Sequence, residues 1–261
     1  MKTYPSSLRG LLAAALLSLL GHALHGAEAA PKPQLLSVTF TQVKPDKVAE
    51  FERIQKEEVL PALKKAGTTE RYAFSRAVFG EGYRYTFSTP IKDYAHYDNP
   101  SALVTVLGQP AVDALTAKLA ACTISTRTVA YRAMPAISVP STDDRKVCVL
   151  TVHHLAPGRK AEWIKYWSEN ILPAIKQAGL SGYSHYEVQF GGDPNEVASL
   201  TWAKDYADLD QGPALTRALG AKAAGELTAK LPLGVIVSDE RSLMRSRDEL
   251  SIQPEKKPAA K

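Results

Sequence analysis

Apolar and β-branched residues crowd two short stretches, Leu35 to Val43 and Val147 to Leu155, in the pattern of half-buried strands. Each stretch ends just before a proline, Pro45 or Pro157, that opens a helical pattern. In the first helix Phe51, Val59, Ala62 and Ala66 recur near the 3.6-residue period. In the second, Trp163, Trp167, Ile171, Ala174 and Ala178 do the same, so one face of each is core. Pro61 and Pro173 fall inside these helices and predict a kink or a tightened turn, because proline has no N–H to donate. Gly67 and Gly179 supply left-handed caps. Aromatic and β-branched runs from Tyr72 to Phe79 and from Tyr83 to Thr89 flank Gly80-Glu81-Gly82, which predicts a hairpin. Tyr183 to Phe190 and Glu196 to Trp202 repeat it around Gly191 to Asn195. A second helix ends at Leu119 or Leu231, and a last strand runs from Thr123 to Arg132 or from Val235 to Arg245.

The pattern occurs twice because the sequence does. A shift of 112 residues superimposes Leu60-Pro61-Ala62 on Leu172-Pro173-Ala174, Lys92-Asp93-Tyr94-Ala95 on Lys204-Asp205-Tyr206-Ala207, and Leu115 to Leu119 on Leu227 to Leu231. With one residue of slack around the hairpin, roughly thirty positions in about 100 agree, a register that chance does not hold. The expected organisation is a module over 34–134, a proline-punctuated linker over 135–145, a second module over 146–246 and a charged, apolar-poor, disordered tail over 247–261. Each module reads β-α-β-β-α-β, the split βαβ order of a four-stranded antiparallel sheet with both helices on one face. The other face carries large residues such as Tyr72 and Phe74 and needs cover. The second copy supplies it, so the fold class is α+β, two tandem ferredoxin-like modules closed into an intramolecular pseudo-twofold barrel.

The Pro45-Asp46-Lys47 and Pro157-Gly158-Arg159 helix starts, the Leu-Pro-Ala-x-Lys-x-Ala-Gly runs ending at Gly67 and Gly179, and the Phe79-Gly80 and Phe190-Gly191 hairpins resemble the dimeric α+β-barrel superfamily. The likeness is nearest to NIPSNAP-like and antibiotic-biosynthesis-monooxygenase-like members and covers nearly all of both modules. The resemblance implies the barrel. It implies no single activity, because that superfamily includes cofactor-free oxygenases, haem-handling enzymes, isomerases and proteins without assigned chemistry.

The N-terminus changes the cellular picture. Lys2 and Arg9 precede the apolar run Leu11 to Leu20 and the small residues ending Ala27-Glu28-Ala29, the three parts of a secretory signal peptide over 1–29, with cleavage expected after Ala29. Ten strongly apolar residues are too few to span a bilayer, which needs about 20 on a helix. The expectation is an exported, periplasmic or extracellular protein with no membrane span after processing. The formal charge of +5 is spread among acids rather than striped, which argues against nucleic acid as a partner. Cys122 and Cys148 are the two cysteines. In an exported chain they could bridge the modules or remain buried thiols.

Signatures of common chemistry are missing: there is no G-x-S-x-G, phosphate-binding glycine loop, H-E-x-x-H or EF-hand loop. What remains is polar residues where the copies diverge. With the hairpin slack, His153 stands against Thr41, His185 against Phe74, and Glu187 against Arg76. Strand parity then puts Arg76, Tyr183, His185 and Glu187 in or near the barrel interior. Arg76 and Glu187 read as a salt bridge across the pseudo-dyad, or His185 as an acid–base group oriented by Glu187. His153 and His154 point to opposite faces and cannot share an ion, and His154 and His185 lie two strands apart, so no metal site is expected. The leading expectation is an exported small-ligand-binding protein without a resident cofactor, monomeric or homo-oligomeric. The alternatives are a cofactor-independent monooxygenase-like or haem-handling enzyme using His153 or His185, and a structural or partner-binding module.

Overall fold

A computed structural model describes residues 34–76, 78–141 and 146–253. The predicted export signal and residues 254–261 lie outside them. Strand β1 (Leu35–Val43) leads through a 3-10 turn at Pro45–Lys47 into helix α1 (48–65). Strands β2 (Tyr72–Arg76) and β3 (Arg84–Ile91) form the hairpin. Helices α2 (Ala102–Leu107) and α3 (Gln109–Cys122) then precede β4 (Thr123–Ala133). The second module repeats the order with β5 (Val147–Leu155), α4 (160–177), β6 (Tyr183–Phe190) and β7 (Glu196–Ala203). Helices α5 (Tyr206–Asp210), α6 (Ala214–Leu219) and α7 (Ala221–Thr228) and strand β8 (Ile236–Ser246) complete it. All eight strands are antiparallel to their neighbours and close into one barrel in the order β1-β3-β2-β8-β5-β7-β6-β4.

Local chemistry explains the elements. Asp93 and Asp205, from the repeated Lys-Asp-Tyr-Ala, cap the short helical turns that follow by accepting backbone N–H bonds from His96 and Asp208. Gly67 and Gly179 end the long helices at φ +83° and +63°. The prolines loosen α1 and α4 rather than tighten them. A π-turn occupies Gln55–Val59 and Trp167–Ile171, immediately before the Leu-Pro-Ala segments, so that the wider turn absorbs the missing proline N–H. The outward sheet face of the first module packs Val43, Ala73, Tyr85 and Phe87 against Phe51 and Ile54 of α1 and Leu115 of α3. The inward faces of both modules meet in the bore, where Leu36, Val38, Val129 and Tyr131 contact Val188 and Ala198.

Two corrections concern segments read as connections. Residues 134–139 are not a free linker, and 247–253 are not a disordered tail. Met134 donates to the His185 carbonyl, Val139 to that of Tyr183, and Ile137, 2% exposed, packs with Leu155, Trp163, Val197 and Val235. Equivalently, Arg247 donates to Ala73, Ile252 to Arg71, and Leu250, 1% exposed, packs with Phe51, Ile54 and Tyr85. Ser138 and Ser251 each bond an otherwise open backbone N–H, that of His185 and Ala73. Each module therefore ends in an arm that completes the other module's core. The buried Arg71 guanidinium fixes the second arm, donating to the Leu250 carbonyl at 3.1 Å and to Gln55 at 2.9 Å.

Of the two readings open for the cysteines, the structure shows the second: both are free and buried, in different cores. Cys122 lies under the first module's helices, and Cys148 lies with Phe74 and Met244. Leu250→Ala should cost about 2–5 kcal/mol, the range for emptying a filled core site. Urea unfolding measures it, and a loss under about 1 kcal/mol would show that the arm is not anchored by that side chain.

Candidate functional site

Inside the barrel, alternate residues of every strand point at one another across the bore. The strands do not fill it, and a cavity of about 410 Å³ remains. Its wall is aromatic and aliphatic, with Phe40, Phe74, Leu150, Leu200 and Trp202 prominent. Phe74 and Trp202, one from each module, stand 5.8 Å apart at a tilted angle. At one mouth the Tyr72 hydroxyl donates to Glu70 at 2.6 Å. Deeper, Tyr131 is 4% exposed, and burial with the nearby Glu196 charge pushes its phenol up to about 12. That hydroxyl has no hydrogen-bond partner among the described residues. The phenol is a neutral donor at the border between the apolar cavity and the side where Arg127 and Glu196 lie.

A layer made by Phe40, Thr86, Tyr131, Leu150 and Met244 lines both this cavity and an adjoining chamber of about 110 Å³ at the opposite end. The chamber is charged. Arg84 is held by Glu81 at 2.7 Å, Arg127 faces Glu196 at 3.7 Å, and His154 lies 3.5 Å from Glu196 and 3.6 Å from Glu240. Arg76 also lines it, half-buried, with no carboxylate in ion-pairing range among the described residues. Burial first, then the positive charge of Arg84, lowers its pKa from the ordinary value against the pull of Glu81 and Glu240.

On the other side of the sheet, under α4, lies a polar chain that sequence reasoning missed in part. Asp239 accepts from or pairs with His153 Nδ1 at 2.8 Å, His153 Nε2 meets Ser199 Oγ at 3.0 Å, and Ser199 Oγ meets His185 Nδ1 at 2.8 Å. With Asp239 ionised, one consistent proton assignment follows: His153 donates to Asp239, Ser199 to His153, and His185 to Ser199. That leaves His185 Nε2 as a bare acceptor, buried without a partner. Burial, reinforced by His153, drives the His185 pKa down to about 3, and burial also lowers His153 against the pull of Asp239. An Asp-His-Ser relay has these spacings. Here Ser199 is 5% exposed on a mid-sheet strand beneath Trp163 and Trp167, so a substrate carbonyl has no approach.

The structure thus separates residues that sequence parity had grouped. Tyr183, His185 and Glu187 lie on the outer, helix-covered face, not in the bore. Tyr183 packs with Tyr166, Ile171 and Ile175, and Glu187 faces Arg132 at 3.5 Å and Lys160 at 3.7 Å rather than Arg76. His153 is outward as well, 5.2 Å from the Trp163 ring. Arg76 alone of the five is on the inward face, where it lines the charged chamber. The cause is register: the hairpins carry no slack. His185 pairs with Ser199 as Ala73 pairs with Phe87, both at an offset of 112 residues, and the extra residue enters only before β8. Shifting a strand by one position exchanges its faces. Ser199 was legible in principle, since at offset 112 it stands where the first copy has Phe87. Asp239 needed the later shift to be known.

The haem expectation can be tested on the same geometry. His185 Nε2 is the buried nitrogen available under α4, but the Trp167 ring centroid lies 4.2 Å from its ring and Trp163 5.6 Å. Those indoles occupy the space a porphyrin face requires, and the residues do not fit the group. Among the described residues no cluster of three or more His, Cys, Asp or Glu is arranged to hold a metal ion, and no helix is long and apolar enough to cross a membrane.

No family model and no curated protein matches the chain. Among solved structures it is similar to a candidate monooxygenase from Lactobacillus acidophilus NCFM, with TM-score 0.55 and 10% identity over 82% of this chain and 94% of that one. It is similar to an anthrone oxidase-like protein, with TM-score 0.54 and 12% identity over 88% and 98%. A mutant chlorite dismutase from Candidatus Nitrospira defluvii in complex with cyanide gives TM-score 0.52 and 10% identity over 83% and 93%. At such identities the likeness is one of fold. The chain has the duplicated α+β-barrel architecture of these proteins.

Haemin added to the purified protein should give no protein-dependent Soret shift, and a shift lost in His185→Ala would reverse that conclusion. His185 also carries a pH prediction. It is neutral in the fold and protonates in the unfolded chain below about pH 6.5, so the unfolded state binds the extra proton between that value and about 3. Stability is full above this window and falls as pH drops through it, with a contribution of about 1.4 kcal/mol per pH unit. His185→Phe should flatten the stability–pH curve by about that slope between pH ~6 and ~4. Equal slopes in the two proteins would contradict the assignment.

Proposed function

We propose that this chain is an exported binding protein for a small, largely apolar ligand held in the barrel bore. The carrying observation is the cavity of about 410 Å³ between the two modules, walled by Phe74, Leu150, Leu200 and Trp202. That volume lies in the ordinary range of small-molecule sites, about 300–1,000 Å³, and it has the ordinary composition, an apolar wall with a few hydroxyls. Tyr131, Thr86 and Ser184 supply the hydroxyls. Export rests on the charged, apolar and small-residue sequence of 1–29. The finer likeness to NIPSNAP-like and monooxygenase-like members rests on the helix-start and Leu-Pro-Ala motifs. The solved neighbours are named for oxygen chemistry, yet no histidine lines the bore among the described residues. The histidines that would serve an enzyme are packed behind the sheet.

Neutral N-phenylnaphthylamine should bind with a rise in its fluorescence, and Leu200→Trp, which fills the bore from one wall, should abolish the rise while leaving the melting temperature within a few degrees. Unchanged binding in Leu200→Trp would place the ligand elsewhere.

A further inference from the structure

The charged chamber beyond the bore gives the ligand a direction. The same five side chains, Phe40, Thr86, Tyr131, Leu150 and Met244, wall both spaces, so a molecule seated in the bore ends against the layer that faces the arginines. Arg84 and Arg127 already face the carboxylates of Glu81 and Glu196, and Glu240, 74% exposed, points largely to solvent. Arg76 feels Glu81 and Glu240 at longer range but has no carboxylate within 4.0 Å among the described residues. Its guanidinium lies against the hairpin turn, where a Cβ built on Gly80 would be 2.8 Å from Arg76 Nη1. The second module has Val188 at the equivalent position, so the feature belongs to one half only.

We propose that the bore binds amphipathic monocarboxylates, with the apolar body among Phe74, Leu150 and Trp202 and the carboxylate beside Tyr131, directed at Arg76. The proposal rests on the bore being the ligand site. A guanidinium that is partly dehydrated and unpaired loses little on meeting an anion and gains a charge-assisted, bidentate contact. A ligand with only a neutral polar end would fill the bore but leave that contact unmade. At the other mouth Glu70 lines the opening and disfavours the reverse orientation by like-charge repulsion.

Calorimetric titration of the full chain with naphthoate, methyl naphthoate and decanoate tests this. The carboxylates should bind about tenfold or more tightly than the ester. Arg76→Gln should bring naphthoate down to the affinity of the ester, which itself should not change, and Arg76→Lys should restore part of the preference. Equal affinity of naphthoate and its ester for the unaltered protein, or a preference that survives Arg76→Gln, would overturn the proposal. Because the first of these comparisons uses the unaltered protein, it decides against the proposal even if a variant fails to fold. Failure of both naphthoates and of the neutral probe to bind would instead refute the bore as a ligand site.

Discussion

Neither four-stranded sheet can satisfy its own edge. Strand β4 meets β6, and β8 meets β2, through ladders of only four and three paired residues, and these two seams close the barrel. The arms lengthen both seams. Met134, Ser138 and Val139 continue the β6 seam, as Arg247, Ser251 and Ile252 continue that of β2. Unpaired backbone at a buried edge costs about as much as the hydrogen bonds it lacks, so the seams and the arms stand or fall together. Everything else depends on this closure: the bore exists only between joined sheets, and each helix-covered core lacks a wedge, Ile137 or Leu250, until the other module donates it.

The two halves then use the same frame differently. Beneath α1 the first module stacks Phe51, Tyr85 and Phe87, with the Arg71 guanidinium 4.1 Å above the Phe87 ring. Beneath α4 the second module places Trp163 and Trp167 over a polar line of His153, Ser199 and His185. Both arrangements fill the space under a π-bulged helix. The first satisfies its buried charge through the arm carbonyl and Gln55, and the second satisfies its polar atoms through one another, with Asp239 at the solvent edge. Only His185 Nε2 is left over, and a nitrogen that cannot charge without losing its burial is a weak point in acid rather than a tool for catalysis.

The cavity wall remains apolar because His153 and His185 diverged on the opposite face of the sheet, while the inward His154 lies in the charged chamber. On β5, His153 points outward while His154 reaches the charged chamber. On β7, Ser199 points outward while Ala198 and Leu200 line the bore. The alternation of strand side chains thus keeps a polar, structural face and an apolar, ligand-sized face within one layer of backbone.

The sequence by itself determined the duplicated β-α-β-β-α-β order, the helix ends at Gly67 and Gly179, and the need for one module to cover the other. Periodicity, glycine and proline chemistry act locally and can be read residue by residue. The tertiary structure alone decided which face His185 and Glu187 occupy, since a one-residue choice of alignment at the hairpin inverts the result and local pattern does not distinguish Phe74 from Ala73 as the counterpart of His185. It also decided the fate of 134–139 and 247–253. Their apolar residues, among them Met134, Ile137, Val139, Leu250 and Ile252, follow neither a strand nor a helix period beside prolines or charges, and they become core only because closure brings the other module's cavity to them.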